Sequence, residues 1–148
     1  MAATLTVHDL MKTDVAALTP GTTLQEARDR MAALGVRHMP VVDPQRHLVG
    51  ILSQRDLAHA LDPHIAAQGR RATLATKDVM TTDLIVAHPD TLAVRAVEAM
   101  IVSKIGAVPV VDDSNHLVGI VTETDFLEVA HDALLGHEPG THAHAHVH

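Results

Sequence analysis

Two short segments, Ser53-Gln54-Arg55-Asp56 and Thr122-Glu123-Thr124-Asp125, place a hydroxyl three residues before a carboxylate, where a strand is predicted to lead into a helix. A carboxylate there can accept hydrogen bonds from both hydroxyls of a ribose, and charge-assisted bonds are about twice as strong as neutral ones. The hydroxyl and the amides at the helix start suit a phosphate. The same pattern is also a helix capping box, in which both side chains only satisfy backbone amides. Taken alone, the pattern favours capping.

The two segments belong to an internal repeat, in which many residue types return 69 positions later and no gap is needed across about fifty positions. The densest match sets Pro40-Val41-Val42-Asp43 against Pro109-Val110-Val111-Asp112, and a shared His-Leu-Val-Gly-Ile run follows in both copies. Repetition at a fixed period is evidence for duplicated structural units. Two like units are expected to pack about a pseudo-twofold axis. Further matches at the same offset are Asp9 and Asp78, Met11 and Met80, Pro20 and Pro89, Met31 and Met100, Gly50 and Gly119, and Asp56 and Asp125.

Each copy predicts a β-α-β-β-α unit of α/β (α+β) class, preceded by a short helix. The extended segments 14–18 and 83–87 come first, and in copy one Thr22 is predicted to cap the next helix, with Gln25 completing a capping box. Apolar spacing gives that helix a stripe, and β-branched runs around a turn then predict two strands. The predicted stripes are Leu24, Ala27, Met31 and Leu34 in copy one and Val94, Val97, Met100 and Ile101 in copy two; in the last helix of copy two the stripe is Phe126, Val129, Ala130, Ala133 and Leu134, with Gly136 as its stop. The predicted organisation is repeat 1 over 7–62, a linker over 63–75, repeat 2 over 76–135 and a His-rich tail over 136–148.

Composition narrows the classes of function. The chain of 148 residues has a formal net charge of −7 and only 11 Lys plus Arg, which argues against nucleic acid as a partner because such proteins neutralise phosphates with a basic face. It has no cysteine, and Phe126 is its single aromatic residue other than histidine, so a base would lie between aliphatic groups. No run approaches the ~20 apolar residues of a membrane span, and no secretory signal is visible. A cytoplasmic location without membrane contact is expected.

From about residue 7 to residue 135, the order of these motifs resembles the CBS domain, a family named after cystathionine β-synthase. The motifs are Met11 or Met80, Pro20 or Pro89, Pro-Val-Val-Asp, Leu-Val-Gly-Ile and then Ser/Thr-x-x-Asp. Two such domains in tandem resemble a Bateman module. The resemblance implies two clefts between the repeats that bind AMP, ADP, ATP, S-adenosylmethionine or a similar adenosyl ligand. It also implies a homodimer that regulates a separate effector protein.

Matching family positions assign roles to individual residues. Asp56 and Asp125 are the implied ribose ligands, with Ser53, Thr122 and Thr124 near the phosphates. The resemblance also implies that Thr13, Asp14 and Val15 face the cleft of Thr122 and Asp125, and that Thr82, Asp83 and Leu84 face the cleft of Ser53 and Asp56. The implied walls are Met39, Pro40, Ile51, Val108, Pro109 and Ile120, which as apolar residues also fit plain core.

The cations differ between the copies. Copy one offers Arg37, His38 and Arg55 near the implied phosphate end. Copy two offers Lys104, but has Ala107 and Thr124 where copy one has His38 and Arg55. The hypothesis that follows is that one cleft tolerates more phosphates than the other. Each single cation also fits an ordinary solvated surface charge.

The C-terminal histidines provide a different chemistry. His142, His144, His146 and His148 alternate with Ala or Val, and neutral imidazole suits Zn²⁺, Ni²⁺ or Cu²⁺. A solvated tail without a metal fits the same composition and is favoured. Three functions therefore compete: a nucleotide-sensing regulatory module, a ligand-free dimerisation or scaffold protein, and a metal-binding protein. An enzyme is not expected, because no catalytic motif appears and no cofactor is required.

Overall fold

The computed structural model describes residues 4–66 and 74–136, and it mixes helices and strands along both repeats. The helices and strands alternate in the order expected of two copies of one unit. Their bounds are α1 Val7–Leu10, α2 Leu24–Leu34, β1 His38–Val42, β2 Leu48–Ser53, α3 Gln54–Ala60, α4 Pro63–Ala66, α5 Thr76–Val79, α6 Ala93–Ser103, β3 Ala107–Val111, β4 Leu117–Thr122 and α7 Glu123–Leu134. None of the helices among these residues is long and apolar enough to cross a membrane.

The chain divides into two compact units, and each unit combines segments of both repeats. Of the described residues, the first-repeat unit contains 16–66, 74–84 and 114–117. The second-repeat unit contains residues 4–15, 85–113 and 118–136. The residues that precede each extended segment therefore fold with the other repeat, which determines which side chains meet at each candidate site.

The first-repeat unit contains an antiparallel pair, β1 and β2, in which Pro40 lies opposite Ile51 and the register shifts between Val41 and Val42. Leu18 adds a single parallel bridge to Val41. Its amide donates to the Pro40 carbonyl at 2.9 Å. The extended segment predicted over 14–18 therefore pairs with β1 at the single residue Leu18 and does not form a strand of several residues. β3 and β4 pair in the second-repeat unit, and Ala87 makes the corresponding parallel bridge to Val110.

The start of α2 differs from the sequence prediction. Thr23, not Thr22, is the N-cap residue, and its Oγ1 accepts a hydrogen bond from the Glu26 amide at 3.1 Å. Thr22 Oγ1 instead accepts from the Thr19 amide at 3.1 Å and closes the preceding turn. The predicted capping box of Thr22 and Gln25 was wrong because two adjacent threonines offered the same cap chemistry.

The apolar stripes of the helices were predicted with partial success. In α2, Leu24, Ala27 and Met31 are buried, but Leu34 is 52% exposed. In α6, the buried residues are Ala93, Ala96 and Met100, whereas Val94 and Ile101 of the predicted stripe are 53% and 69% exposed. The buried α6 residues are those that match Leu24, Ala27 and Met31 at the repeat offset. Because α6 has apolar residues on nearly every side, apolar spacing alone did not identify its buried face.

The C-terminal helix α7 buries little of its predicted stripe. Phe126 packs partly against the core of the second-repeat unit, whereas Leu134 is 87% exposed. Ala130 and Ala133 are also exposed, and the buried residues of this helix are Asp125 and Asp132. Gly136 has φ +80°, which fits its predicted role as the stop after the helix.

Candidate functional site

In the second-repeat unit, the chain that follows α1 pairs with β4. The Lys12 amide donates to the Ile120 carbonyl at 2.9 Å, and the Ile120 amide donates to the Lys12 carbonyl at 3.0 Å. Gly119 allows this approach: a Cβ there would lie 2.9 Å from the Lys12 carbonyl oxygen and 2.7 Å from Met11 Sδ. The predicted segment Thr13 to Val15 therefore begins directly beside the end of β4, which carries Thr122.

Asp125 lies in the first turn of α7 and is 5% exposed. Its Oδ2 accepts the Thr122 amide at 2.8 Å and the Thr122 hydroxyl at 3.3 Å. Its Oδ1 accepts Lys12 Nζ at 3.0 Å, and this lysine side chain is 61% exposed. A carboxylate offers about four acceptor positions, so three of those of Asp125 are filled by this chain. The carboxylate half of the capping box is present here.

The first-repeat unit repeats the backbone arrangement. Thr81 donates its amide to the Ile51 carbonyl at 2.8 Å and accepts the Ile51 amide at 3.0 Å. A Cβ at Gly50 would lie 2.5 Å from Met80 Sδ and 3.1 Å from the Thr81 carbonyl oxygen. The segment Thr82 to Leu84 therefore begins beside the end of β2, which carries Ser53.

Asp56, the counterpart of Asp125, is bonded differently. Its amide donates to Ser53 Oγ at 3.0 Å, so the hydroxyl half of the capping box forms here. Among the described residues no hydrogen bond or ion pair involves the Asp56 carboxylate, which lies on a partly buried residue. In the first-repeat unit, Thr81 occupies the position that Lys12 occupies in the second-repeat unit. Its uncharged side chain cannot form an ion pair. The first-repeat unit thus presents a carboxylate whose acceptor positions are open.

The other residues predicted from the sequence divide between the two units. In the first-repeat unit they are partly or fully exposed except Met39 and Pro40, which are buried; in the second-repeat unit Ala107, the wall residues and Asp125 are buried, and the others are partly or fully exposed. The first-repeat unit contains Arg37, His38, Met39, Pro40, Ile51, Ser53, Arg55, Asp56, Thr82, Asp83 and Leu84; the second-repeat unit contains Thr13, Asp14, Val15, Lys104, Ala107, Val108, Pro109, Ile120, Thr122, Thr124 and Asp125.

Sequence reasoning missed Lys12, the residue that most clearly distinguishes the two sites. Its pairing with Asp125 spans 113 positions, which no local pattern reveals. A signal was nevertheless available. Aligning the copies at their offset sets Lys12 against Thr81 directly after the matched Met11 and Met80.

A stacked pair of histidines lies away from these sites, in the first-repeat unit. The rings of His47 and His116 are 4.5 Å apart between centroids and tilted by 20°. Asp43 Oδ2 lies 3.1 Å from His47 Nδ1. Desolvation by burial would raise the pKa of the Asp43 carboxyl, but hydrogen bonds and charge from His47, with a bond from the Gln45 amide, together hold that pKa below its ordinary value. This cluster organises the turns that connect the strands.

No group of three or more metal-ligating side chains occurs within residues 4–66 and 74–136. The histidines at positions 137, 142, 144, 146 and 148 lie outside the described residues, as does most of the predicted linker. The tail's metal chemistry therefore stays a sequence-based hypothesis.

The chain is similar to proteins of several sizes. It is 38% identical over 119 residues to the CBS domain-containing protein YhcV of Bacillus subtilis, covering 80% of this chain and 81% of that protein. It is 36% identical over 115 residues to inosine-5'-monophosphate dehydrogenase of Methanocaldococcus jannaschii, covering 78% of this chain. The match spans only 21% of that dehydrogenase, so the similarity concerns one part of a longer protein.

Solved structures show the same fold. A protein assigned to acetoin utilization (AcuB) from Vibrio cholerae has a TM-score of 0.77 at 34% identity, over 90% of this chain and 95% of that one. The CBS domain pair of protein MJ0100, solved with 5'-methylthioadenosine and S-adenosyl-L-methionine, has a TM-score of 0.73 at 31% identity, over 83% and 97%. CBSX2 in complex with AMP has a TM-score of 0.77 at 26% identity, over 87% and 98%. The model of the CBS domain matches residues 7–63 and again residues 76–132, and the chain therefore belongs to the CBS-domain family as a tandem pair.

Proposed function

We propose that this chain is a regulatory module that senses an adenosine nucleotide, with one site in each compact unit. The observation that carries the proposal is the Asp56 carboxylate, which lies at the junction of β2 and α3 and makes no hydrogen bond to any described residue. A partly buried carboxylate with open acceptor positions is suited to a pair of neighbouring hydroxyls, as in a ribose. Capping alone does not account for Asp56, because Ser53 caps this helix and the carboxylate does not.

The surroundings of both carboxylates support an adenosyl ligand. In each unit a short exposed segment, Thr13–Asp14 or Thr82–Asp83, begins beside the strand that carries the hydroxyl of the motif. These segments offer backbone amides and carbonyls to the edge of a base, and the partly exposed Ile51 offers apolar surface in the first-repeat unit. Relatives add support, since the MJ0100 pair was solved with two adenosyl compounds and CBSX2 with AMP. The chemistry that these ligands share is the adenosine group.

Calorimetric titration with AMP, ATP, adenosine and S-adenosylmethionine tests the proposal. We expect at least one to bind, and a ligand at 100 times its Kd to add about 2.7 kcal/mol to the free energy of unfolding. Asp56→Ala should remove the site of the first-repeat unit, Asp125→Ala that of the second-repeat unit, and the double variant both. Asp90→Ala is the matched control, because Asp90 is an exposed carboxylate outside both motifs.

Two results would contradict the proposal in different ways. If no adenosyl compound binds the wild-type chain, the sensor function fails and a ligand-free scaffold remains. If the folded double variant binds as tightly as Asp90→Ala, an adenosyl ligand is bound but the ribose contacts are not Asp56 and Asp125. In that case the two Ser/Thr-x-x-Asp motifs only cap their helices.

We further propose that the module acts as a homodimer on a separate effector and catalyses no reaction itself. Apolar side chains on the surface of the second-repeat unit support association: Ile101 in α6 is 69% exposed, and Leu127 and Leu134 in α7 are 67% and 87% exposed. The absence of catalysis is supported by the two candidate carboxylates, which belong to different compact units and not to one acid–base pair. Native mass spectrometry of the purified chain reports both the oligomeric state and any retained ligand.

A further inference from the structure

We propose that Lys12 is a built-in competitor for the ribose hydroxyls, so that the site of the second-repeat unit binds an adenosyl ligand more weakly than the site of the first-repeat unit. The inference rests on the proposed function and deepens it by assigning unequal affinities. It concerns a single side chain, Lys12, whose ammonium lies 3.0 Å from Asp125 Oδ1.

The argument begins with the acceptor positions of the two carboxylates. Asp125 accepts hydrogen bonds from the Thr122 amide, the Thr122 hydroxyl and Lys12 Nζ, which leaves about one of its four positions. A ribose offers two adjacent hydroxyls and needs two acceptor positions for a bidentate contact. One of the present donors must therefore withdraw before the diol can bind fully.

Lys12 is the donor able to withdraw at the lowest cost. The Thr122 amide is fixed by the backbone at the junction of β4 and α7, whereas the lysine side chain is 61% exposed. A flexible ammonium that leaves the carboxylate is solvated by water, so the cost is that of one ion pair with an exposed partner. Ligand binding in this unit is consequently coupled to the breaking of the Lys12–Asp125 pair.

No such competitor occurs among the described residues of the first-repeat unit. Thr81 occupies the position of Lys12 and makes the same two backbone hydrogen bonds to its strand, here at Ile51. The Asp56 carboxylate makes no bond to the described residues, so a diol can bind it without displacing a protein group. Since the backbone is equivalent in the two units, the difference is assigned to the side chain at this one position.

The test measures one site at a time with adenosine, which carries no phosphate and so does not attract Lys12 by charge. In an Asp56→Ala background, Lys12→Thr should tighten adenosine binding about two- to five-fold, the range expected for an exposed ion pair. The preference for adenosine over 2′-deoxyadenosine should rise by a similar factor, because the gain lies in the diol contact. Lys77→Thr in the same background is the control, since it removes an equal charge from an exposed position in α5.

The reciprocal change transfers the competitor to the other unit. In an Asp125→Ala background, Thr81→Lys should weaken adenosine binding about two- to five-fold. Unchanged affinity in both Lys12→Thr and Thr81→Lys, or a loss in Lys12→Thr, overturns the inference and leaves the nucleotide function standing. Failure of adenosine, AMP, ATP and S-adenosylmethionine alike to bind the wild-type chain overturns the proposed function as well.

Discussion

Asp56 and Asp125 occupy the same position in a duplicated motif, yet they make different bonds. Asp125 is 5% exposed, accepts the amide of its own N-cap residue and pairs with Lys12. At Asp56 the helix is capped by the Ser53 hydroxyl, which accepts the Asp56 amide, and the Asp56 carboxylate makes no cap bond. The comparison shows that a carboxylate repeated in both copies bonds to its own helix start in one unit and makes no bond to a described residue in the other.

The largest effect is expected from replacing Gly119 or Gly50 by alanine, because each glycine lies where its strand closely approaches the paired chain segment. At Gly119 an added Cβ would lie 2.9 Å from the Lys12 carbonyl, whereas at Gly50 the nearest backbone atom would lie at 3.1 Å and the closest contact is the flexible Met80 side chain. We expect Gly119→Ala to lower the free energy of unfolding by about 3 kcal/mol and Gly50→Ala by about 1 kcal/mol. Urea unfolding measures both, and equal losses would show that the two close approaches are equally tolerant. Gly21→Ala is the control, because a Cβ there meets nothing within 4 Å.

Replacing the two carboxylates one at a time tests the same comparison at the motif itself. Asp125→Ala removes a buried group that caps α7 and pairs with Lys12, so we expect a loss of about 2 kcal/mol in the free energy of unfolding. Asp56→Ala removes a carboxylate that bonds to no described residue and should change the free energy of unfolding by less than about 0.5 kcal/mol. Thermal and urea unfolding without ligand provide the measurement. A larger loss for Asp56→Ala would reverse the assignment of structural and ligand-binding roles.

The smallest effect concerns the helix starts that precede the strands. Thr23 caps α2 through its hydroxyl, whereas Leu92, its counterpart 69 residues later, is the N-cap residue of α6 and makes no side-chain cap bond. Leu92→Thr should therefore raise the free energy of unfolding by about 0.5–1 kcal/mol, and Thr23→Leu should lower it by about 1 kcal/mol. Leu92→Val is the control for shape, since valine is isosteric with threonine but has no hydroxyl. A gain of the same size with valine would show that capping is not the cause.

Much of the local structure follows from patterns that the sequence displays directly. The alternation of β-branched runs with turn residues predicted β1 with β2 and β3 with β4, and the periodic apolar residues predicted α2 and α6. The phase of α6 was misjudged because Val94 and Ile101 are as apolar as the residues that are buried. Alignment with copy one at the repeat offset identifies Ala93, Ala96 and Met100 instead. Repetition carries more information about burial here than hydropathy does.

The errors at Thr22 and Lys12 have a different origin. Thr22 and Thr23 have the same chemistry, and only the backbone geometry of the turn decides which hydroxyl reaches the Glu26 amide and which reaches the Thr19 amide. Lys12 meets Asp125 because the chain after α1 pairs with β4 across more than one hundred residues. Neither set of contacts could be predicted from residue types in a window of neighbouring residues.

The sequence by itself determined the duplication, the order of helices and strands, the family and the position of both Ser/Thr-x-x-Asp motifs, because local hydrogen bonding and apolar periodicity act over a few residues. The family resemblance implied that Thr13 to Val15 and Thr82 to Leu84 each face the site of the other repeat. The tertiary structure extends this exchange to all of residues 4–15, which fold with the second repeat, and residues 74–84, which fold with the first. Only the tertiary structure decided that Lys12 lies against Asp125, while no described residue forms an ion pair with Asp56. The physical reason is that an ion pair depends on distance in space, which long-range strand pairing fixes and local sequence does not.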